Sequence, residues 1–285
     1  MTSSTASSPR PDGHGVRIRD VPLSDLLTLE PHGPDTYVGI TARYPWNDRL
    51  YGGQVIAQAL AAAGATVPGD RGVHSLHAYF IRPGTHEEPV RLEVERLRDG
   101  RSFSTRQVVA RQSSGAILNL SASFQVHEEE ADVPVGPMPL DVPPADDPDL
   151  VDQGWGHLLD RRAPAGAEPV GCWARLRTGL AQDPALQACA LAFMSDAAPT
   201  RPARLRHPEA RGDHQDRHRF QGASLDHAMW FHRPTDTTQW HWFAMRSHGL
   251  SGGRGVVSGD VFDVSGRHVA TLAQQVLLRR DRRIP

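Results

Sequence analysis

Two dipeptides, Arg82-Pro83 and Arg233-Pro234, each close an aromatic, extended segment, and they stand 151 residues apart. Gly115, in an SSG turn, and Gly266, in an SGR turn, keep the same spacing. Landmarks repeated at one offset mark an internal duplication, and the two copies of a duplicated chain must bury their cores in the same way. In the first copy GGQVIAQALAAAGATV (52–67) has the alanine-rich, apolar character of a buried helix, with two glycines at its start. HSLHAYFIRPG (74–84) follows as an extended segment. The next run, PVRLEVERLRDGRSFSTRQVVARQSSGAILNLSASFQV, alternates with period two and is punctuated by DGR and SSG into three antiparallel strands. The second copy repeats this order. PALQACALAFMSD (184–196) is its helix, SLDHAMWFHRP (224–234) its extended segment, and a strand run broken at SGGRG and SGR completes it. The order predicts an α+β fold: a long helix wrapped by antiparallel sheet, twice over, with the two sheets side by side as one.

Residues 1–16 read as a disordered polar tail without the apolar run of a signal peptide. Residues 17–127 are the first unit and 171–285 the second. The acidic, proline-rich stretch 128–170 is expected to connect them. All 31 basic residues are arginine, which removes lysine Schiff-base chemistry and a Walker-type phosphate loop. A net charge of −2 argues against nucleic acid as a partner. No apolar run reaches the roughly 18 residues of a membrane span. Cys172 and Cys189 fit no zinc or redox spacing, and a reduced, cytoplasmic setting is expected.

YGGQVIAQAL, HSLHAYFIRPG, LRDGRSFSTRQVVARQ, ASFQV and ASLDHAMWFHRP resemble the acyl-CoA thioesterase II (TesB-like) family, in family order from about residue 20 to 280. The resemblance implies a double hotdog fold, two tandem hotdog units, and hydrolysis of acyl-CoA to the free carboxylic acid and CoA without a cofactor. It also implies that an Asp, a Ser or Thr, and a Gln hold the hydrolytic water. Here these are Asp196 of Ser195-Asp196, Ser224 two residues before Asp226-His227, and Gln274 of VATLAQQ, with Gln275 as the register alternative. The chain departs from the family after Asp196, where a polar, arginine-rich run (197–219) replaces an aromatic, apolar one and points to a shorter or more polar acyl group.

Hydrolysis of a thioester needs an activated nucleophile and stabilisation of the developing oxyanion. A carboxylate can take the proton of water while a hydroxyl and an amide fix its position. Gly52 and Gly53 leave room for substrate at a helix N-terminus, where partial positive charge collects, but the sequence leaves open which helix serves. At the 151-residue offset Ser224 corresponds to Val73 and Gln274 to Ser123, so a single competent site per chain is expected. Plain alternation puts Ser224, Asp226, Ala228 and Trp230 on one strand face and His227 on the other. That separates His227 from His232, which lowers the case for a metal. His214 and His218 stand four apart in a run expected to be a solvated loop. Asp226 is expected to support the site from behind or to cap the strand. Arg254, Arg101 and the 201–219 run are candidates for the phosphates of CoA. GLSGG (249–253) has the spacing of a nucleophile elbow without the following helix, so Ser251 reads as a hairpin residue. Acyl-CoA is the expected partner, in a homo-oligomer. The rival readings are an enoyl-CoA hydratase built on Asp226-His227 and a non-catalytic acyl-CoA-binding protein.

Overall fold

The computed structural model describes residues 16–17, 21–44, 49–134, 136–154, 158–165, 170–212 and 216–281. In chain order these form β1 (Val16–Arg17), α1 (Leu23–Leu27), β2 (Glu30–Pro31), β3 (Thr36–Gly39), β4 (Ala42–Arg43), α2 (Gly52–Gly64), β5 (Arg71–Phe80), β6 (Val90–Asp99), β7 (Phe103–Gln112) and β8 (Gly115–Val126). There follow β9 (Leu150–Asp152), β10 (Leu159–Pro164), β11 (Gly171–Leu176), α3 (Pro184–Ser195), α4 (Thr200–Leu205), α5 (Asp216–Arg219), β12 (Phe220–Ser224), β13 (Asp226–Phe231), β14 (His241–Ser251), β15 (Arg254–Asp263) and β16 (His268–Arg280). His214 lies outside the described residues; α5 begins just after it, where the sequence reading expected a loop.

Apart from the short β1–β4 pair, the strands build one 14-stranded sheet in the order β2-β3-β6-β7-β8-β5-β13-β16-β15-β14-β11-β10-β9, with β12 also on β16. Every pairing in it is antiparallel. The order reads the same from the centre outward in both copies. At the centre His77 pairs with Ala228, two residues at the same place in the two copies. An antiparallel pair of equivalent residues puts a two-fold relation between the copies at that point. The stretch read as a connector contributes two strands of its own, β9 and β10, which extend the far edge of the sheet beyond β11.

The helices are buried because their side chains are small or apolar on every side. Val55, Ile56, Leu60 and four alanines of α2 are buried, as are Leu191, Phe193, Met194 and two alanines of α3. Alanine lets α2 and α3 approach each other while both lie on the sheet, in one continuous core that includes Leu76, Leu118, Met229 and Leu272. One large polar side chain is taken into this core. Arg106 of β7 is fully buried and donates to Asp99 Oδ1 (2.6 Å), Thr66 Oγ1 (2.8 Å), Thr66 O (3.0 Å) and Arg98 O (2.9 Å). Its planar fork is thereby satisfied without water.

One irregularity matters for the site. The pairing of β5 with β8 shifts between Val73 and Ser75, leaving His74 as an extra residue. The second copy breaks at the equivalent residue, Leu225, between β12 and β13, so the bulge is part of the repeated architecture.

Candidate active site

Helix α3 ends at Ser195, and Asp196 is its C-cap, 8% exposed. Ser224, the last residue of β12, lies opposite Val276 of β16 and donates its hydroxyl to Asp196 Oδ1 at 2.7 Å. Gln274, two residues back along β16 and pointing inward, is 1% exposed and donates through Nε2 to Ser224 Oγ at 2.8 Å. Its carbonyl Oε1 lies 2.6 Å from His227 Nδ1, and His227 Nε2 lies 2.9 Å from Ser195 Oγ. Five side chains from α3, β12, β13 and β16, or from the residue just beyond α3, form one continuous chain of hydrogen bonds ending on a carboxylate.

This geometry corrects the face assignment made from plain alternation. The extra residue at Leu225 resets the phase, so Ser224 and His227 face the same interior while Asp226 turns away. The Asp226 carboxylate accepts the backbone N–H of Gln275 at 2.7 Å, tying β13 to β16 at the break. The two members of the Asp226-His227 pair sit on opposite faces of β13, as successive strand residues do.

The first copy supplies the far wall. A Cβ placed on Gly52 would come within 2.7 Å of Asp196 Oδ2 and of the Phe80 ring; one on Gly53 would run into Phe193 O. Only glycine lets the first turn of α2 come this close to the carboxylate. The preceding Tyr51 gives α2 no side-chain cap, and its hydroxyl donates instead to Phe193 O at 2.7 Å. The opening N–H groups of a helix have no partner within it, so α2 presents donors beside Asp196. Helix α3 differs: the Asp183 carboxylate takes the N–H groups of Ala185 (2.9 Å) and Leu186 (3.0 Å). Burial pushes the Tyr51 hydroxyl well above its ordinary range, and the Asp196 charge adds to this. Burial likewise holds the His227 imidazole below its usual range, against the opposing pull of Asp196, Gln274 and Asp226.

The other sequence candidates take no part in this hydrogen-bond chain. Arg254 is exposed at the β14–β15 hairpin, where Ser251 pairs with it, and it reaches only Gly252 O among the described residues (3.4 Å). Gln275 points away from Ser224. Arg82 and Arg233 brace the sheet through Ala116 O and His268 O. Among the described residues no group of three or more His, Cys, Asp or Glu is placed to hold a metal ion, and no helix is long and apolar enough to cross a membrane.

A carboxylate, a hydroxyl and an amide are thus gathered beside the N-terminus of α2, on a fold of the hotdog class. A protein from Alicyclobacillus acidocaldarius described as having a hot dog fold superimposes with a TM-score of 0.70 at 22% identity, over 90% of this chain and 97% of that one. The model of the acyl-CoA thioesterase N-terminal domain matches residues 42–125, and that of the C-terminal domain matches residues 139–278. The chain belongs to the acyl-CoA thioesterase family. It is 33% identical to mouse acyl-coenzyme A thioesterase 8 over 92% of this chain and 90% of that protein. It is also 33% identical to acyl-CoA thioesterase 2 of Haemophilus influenzae, over 81% and 88%. The crystal structure of acyl-CoA thioesterase II TesB2 from Mycobacterium marinum superimposes with a TM-score of 0.78 at 34% identity, over 91% of this chain and 98% of that one.

Proposed function

We propose that this acyl-CoA thioesterase hydrolyses acyl-CoA to a free carboxylic acid and CoA by attack of a water held at Asp196. The observation that carries the reading is the Gln274–Ser224–Asp196 chain of hydrogen bonds at the uncapped N-terminus of α2. Ser224 occupies Oδ1 of the carboxylate and leaves Oδ2, the oxygen nearest Gly52, to take a proton from water. The second N–H of the Gln274 amide, not needed by Ser224, fixes that water. As the tetrahedral centre forms, the thioester oxygen gains charge beside the first N–H groups of α2, which point at it without reorganisation. Collapse of that centre expels the CoA thiolate.

We read the two copies as the two units of a double hotdog, 17–127 and 171–285, with 128–170 joining them and lending β9 and β10 to the second. One competent site per chain follows from the residue differences between them. A homo-oligomer in a reducing cytoplasm is the expected setting, and the two buried free cysteines fit it. The test is thiol release across a panel of saturated acyl-CoAs, run beside loss of enoyl absorbance with trans-2-enoyl-CoA. Thiol release without hydration is expected; hydration without thiol release would overturn the reading. Titration with a tight acyl-CoA analogue should find one catalytic site per chain, and two would refute the single-site assignment.

A further inference from the structure

We propose that His227, held by Ser195, is the positioning residue that sets the direction of the hydrogen-bond chain and so makes Ser224 a donor to Asp196. The inference rests on the assignment of Asp196, Ser224 and Gln274 above and adds two residues to it.

The argument is one of donor counting. The Gln274 amide joins two neighbours, His227 Nδ1 at 2.6 Å and Ser224 Oγ at 2.8 Å. A buried amide can be turned either way, and its two orientations have opposite consequences. If the carbonyl faces His227, the NH2 faces Ser224; the serine oxygen then accepts, and its proton goes to Asp196 Oδ1 at 2.7 Å. If the amide is reversed, its carbonyl takes the serine proton, and two acceptors, Ser224 Oγ and Asp196 Oδ1, are left facing each other. The first orientation requires a proton on His227 Nδ1. Neutral imidazole with Nδ1–H has a bare Nε2, and the buried atom that meets it is the Ser195 hydroxyl at 2.9 Å. That hydroxyl can donate to Nε2. When the ring is protonated it can instead accept from Nε2–H and donate to Ala192 O, 2.9 Å away. In both states Nδ1 donates to Gln274. The neutral Nε2–H form, with Ser195 accepting from Nε2–H and donating to Ala192 O, is the one state that reverses the chain, at the cost of two acceptors facing each other at Ser224 and Asp196. His227 and Ser195 are 1% and 0% exposed, so bulk solvent does not compete for either bond.

The equivalent of His227 in the first copy is Leu76, fully buried in the core. A strand position that is apolar in one copy and a doubly bonded imidazole in the other is explained by what the imidazole orients. Asp196 and Asp226 are the carboxylates whose charges act on it, and Asp226 faces the other side of the strand.

The experiment compares His227→Asn, which places an amide donor near the position of Nδ1, with His227→Leu, which removes it, and with Asp196→Asn as the reference for lost chemistry. Misdirection of the chain in His227→Leu is expected to lower kcat by about 10²-fold with KM nearly unchanged. His227→Asn should recover most of kcat and keep the acid limb of the pH–kcat profile. Wild-type kcat in His227→Leu, alongside an inactive Asp196→Asn, would overturn the positioning role while leaving the catalytic reading intact. An inactive His227→Asn that has lost the acid limb would also overturn it, by making the imidazole itself the titrating group. Should His227→Leu fail to fold, the ¹⁵N signals of His227 in the wild-type protein, assigned by their loss in His227→Asn, decide the matter. The Nδ1–H form at neutral pH supports the proposal, and the Nε2–H form refutes it.

Discussion

The ends of α2 and α3 occupy equivalent places in the two copies and have been put to opposite uses. At the end of α3 stand Ser195 and Asp196, faced by Ser224, His227 and Gln274. The matching positions at the end of α2 carry Gly64, Ala65, Val73, Leu76 and Ser123. The first copy has filled its buried polar space with Arg106, bound to Thr66 just beyond the helix and to Asp99. The N-termini differ in the reverse sense: α3 is closed by Asp183, while α2 is left open by Tyr51 and two glycines. Each copy thus keeps one end of its helix for structure, and the two ends left over meet at a single place. On the proposed function, the chemistry lies at one of two related positions while the other holds a network that satisfies itself.

The largest expected effect is on Asp196→Asn, which should lower kcat for thiol release by about 10²–10⁴-fold without moving the melting temperature much. Full activity in that variant would end the distinction between the two helix ends. Acid stability should also separate the copies. His241, fully buried on β14 where the first copy has Val90, is pushed down to about 4 by burial. The unfolded chain protonates it near 6.5, so its share of stability is complete above that pH. This share, about 3 kcal/mol as an order of magnitude, is lost as pH falls from 6.5 towards 4. Urea unfolding of His241→Gln at pH 7 and 4.5 should show a smaller difference than wild type; an equal difference would place the acid sensitivity elsewhere.

Gly52→Ala adds a methyl against Asp196 Oδ2 and Phe80 and is expected to reduce kcat by about 10²-fold, measured in the same thiol-release assay. Arg106→Leu removes the donors to Thr66 Oγ1, Thr66 O and Asp99 and should cost about 1–3 kcal/mol of stability in urea at unchanged kcat. Collapse of kcat in an intact Arg106→Leu fold would give the Arg106 network, and not only the start of α2, a role in chemistry. Asp183→Ala, which uncaps α3, should be the mildest, about 1 kcal/mol, with activity retained.

The helix–strand order, and the two-fold relation behind it, were legible because a period-two pattern and a fixed offset survive in the residues themselves. The grouping of Asp196 with Ser224 and Gln274 came from family blocks; in isolation each reads as an ordinary cap or strand residue. Alternation misplaced His227 because a bulge leaves no compositional mark, and one extra residue exchanges the two faces of a strand. A signal was present all the same, since a histidine aligned with the core leucine at 76 has to be buried and bonded. The choice of α2 as the helix that meets Asp196 is a tertiary fact, and the two glycines indicated only that something approaches closely. Arg254 stands outside this comparison: it is an exposed hairpin residue bonded to Gly252 O, and the site's geometry does not bear on its pairing with a CoA phosphate.

The pairing of Gly52 with Asp196 has a genetic consequence. The carboxylate is inherited in one half of the gene and the helix that confronts it in the other. Neither half is therefore free to drift by itself. On the proposed mechanism, a change in the first half that leaves its own packing undisturbed, but tilts the opening turn of α2, disturbs a carboxylate, hydroxyl and amide encoded more than 130 codons downstream. The repeat without the polar cluster stays bound to the fate of the repeat that has one.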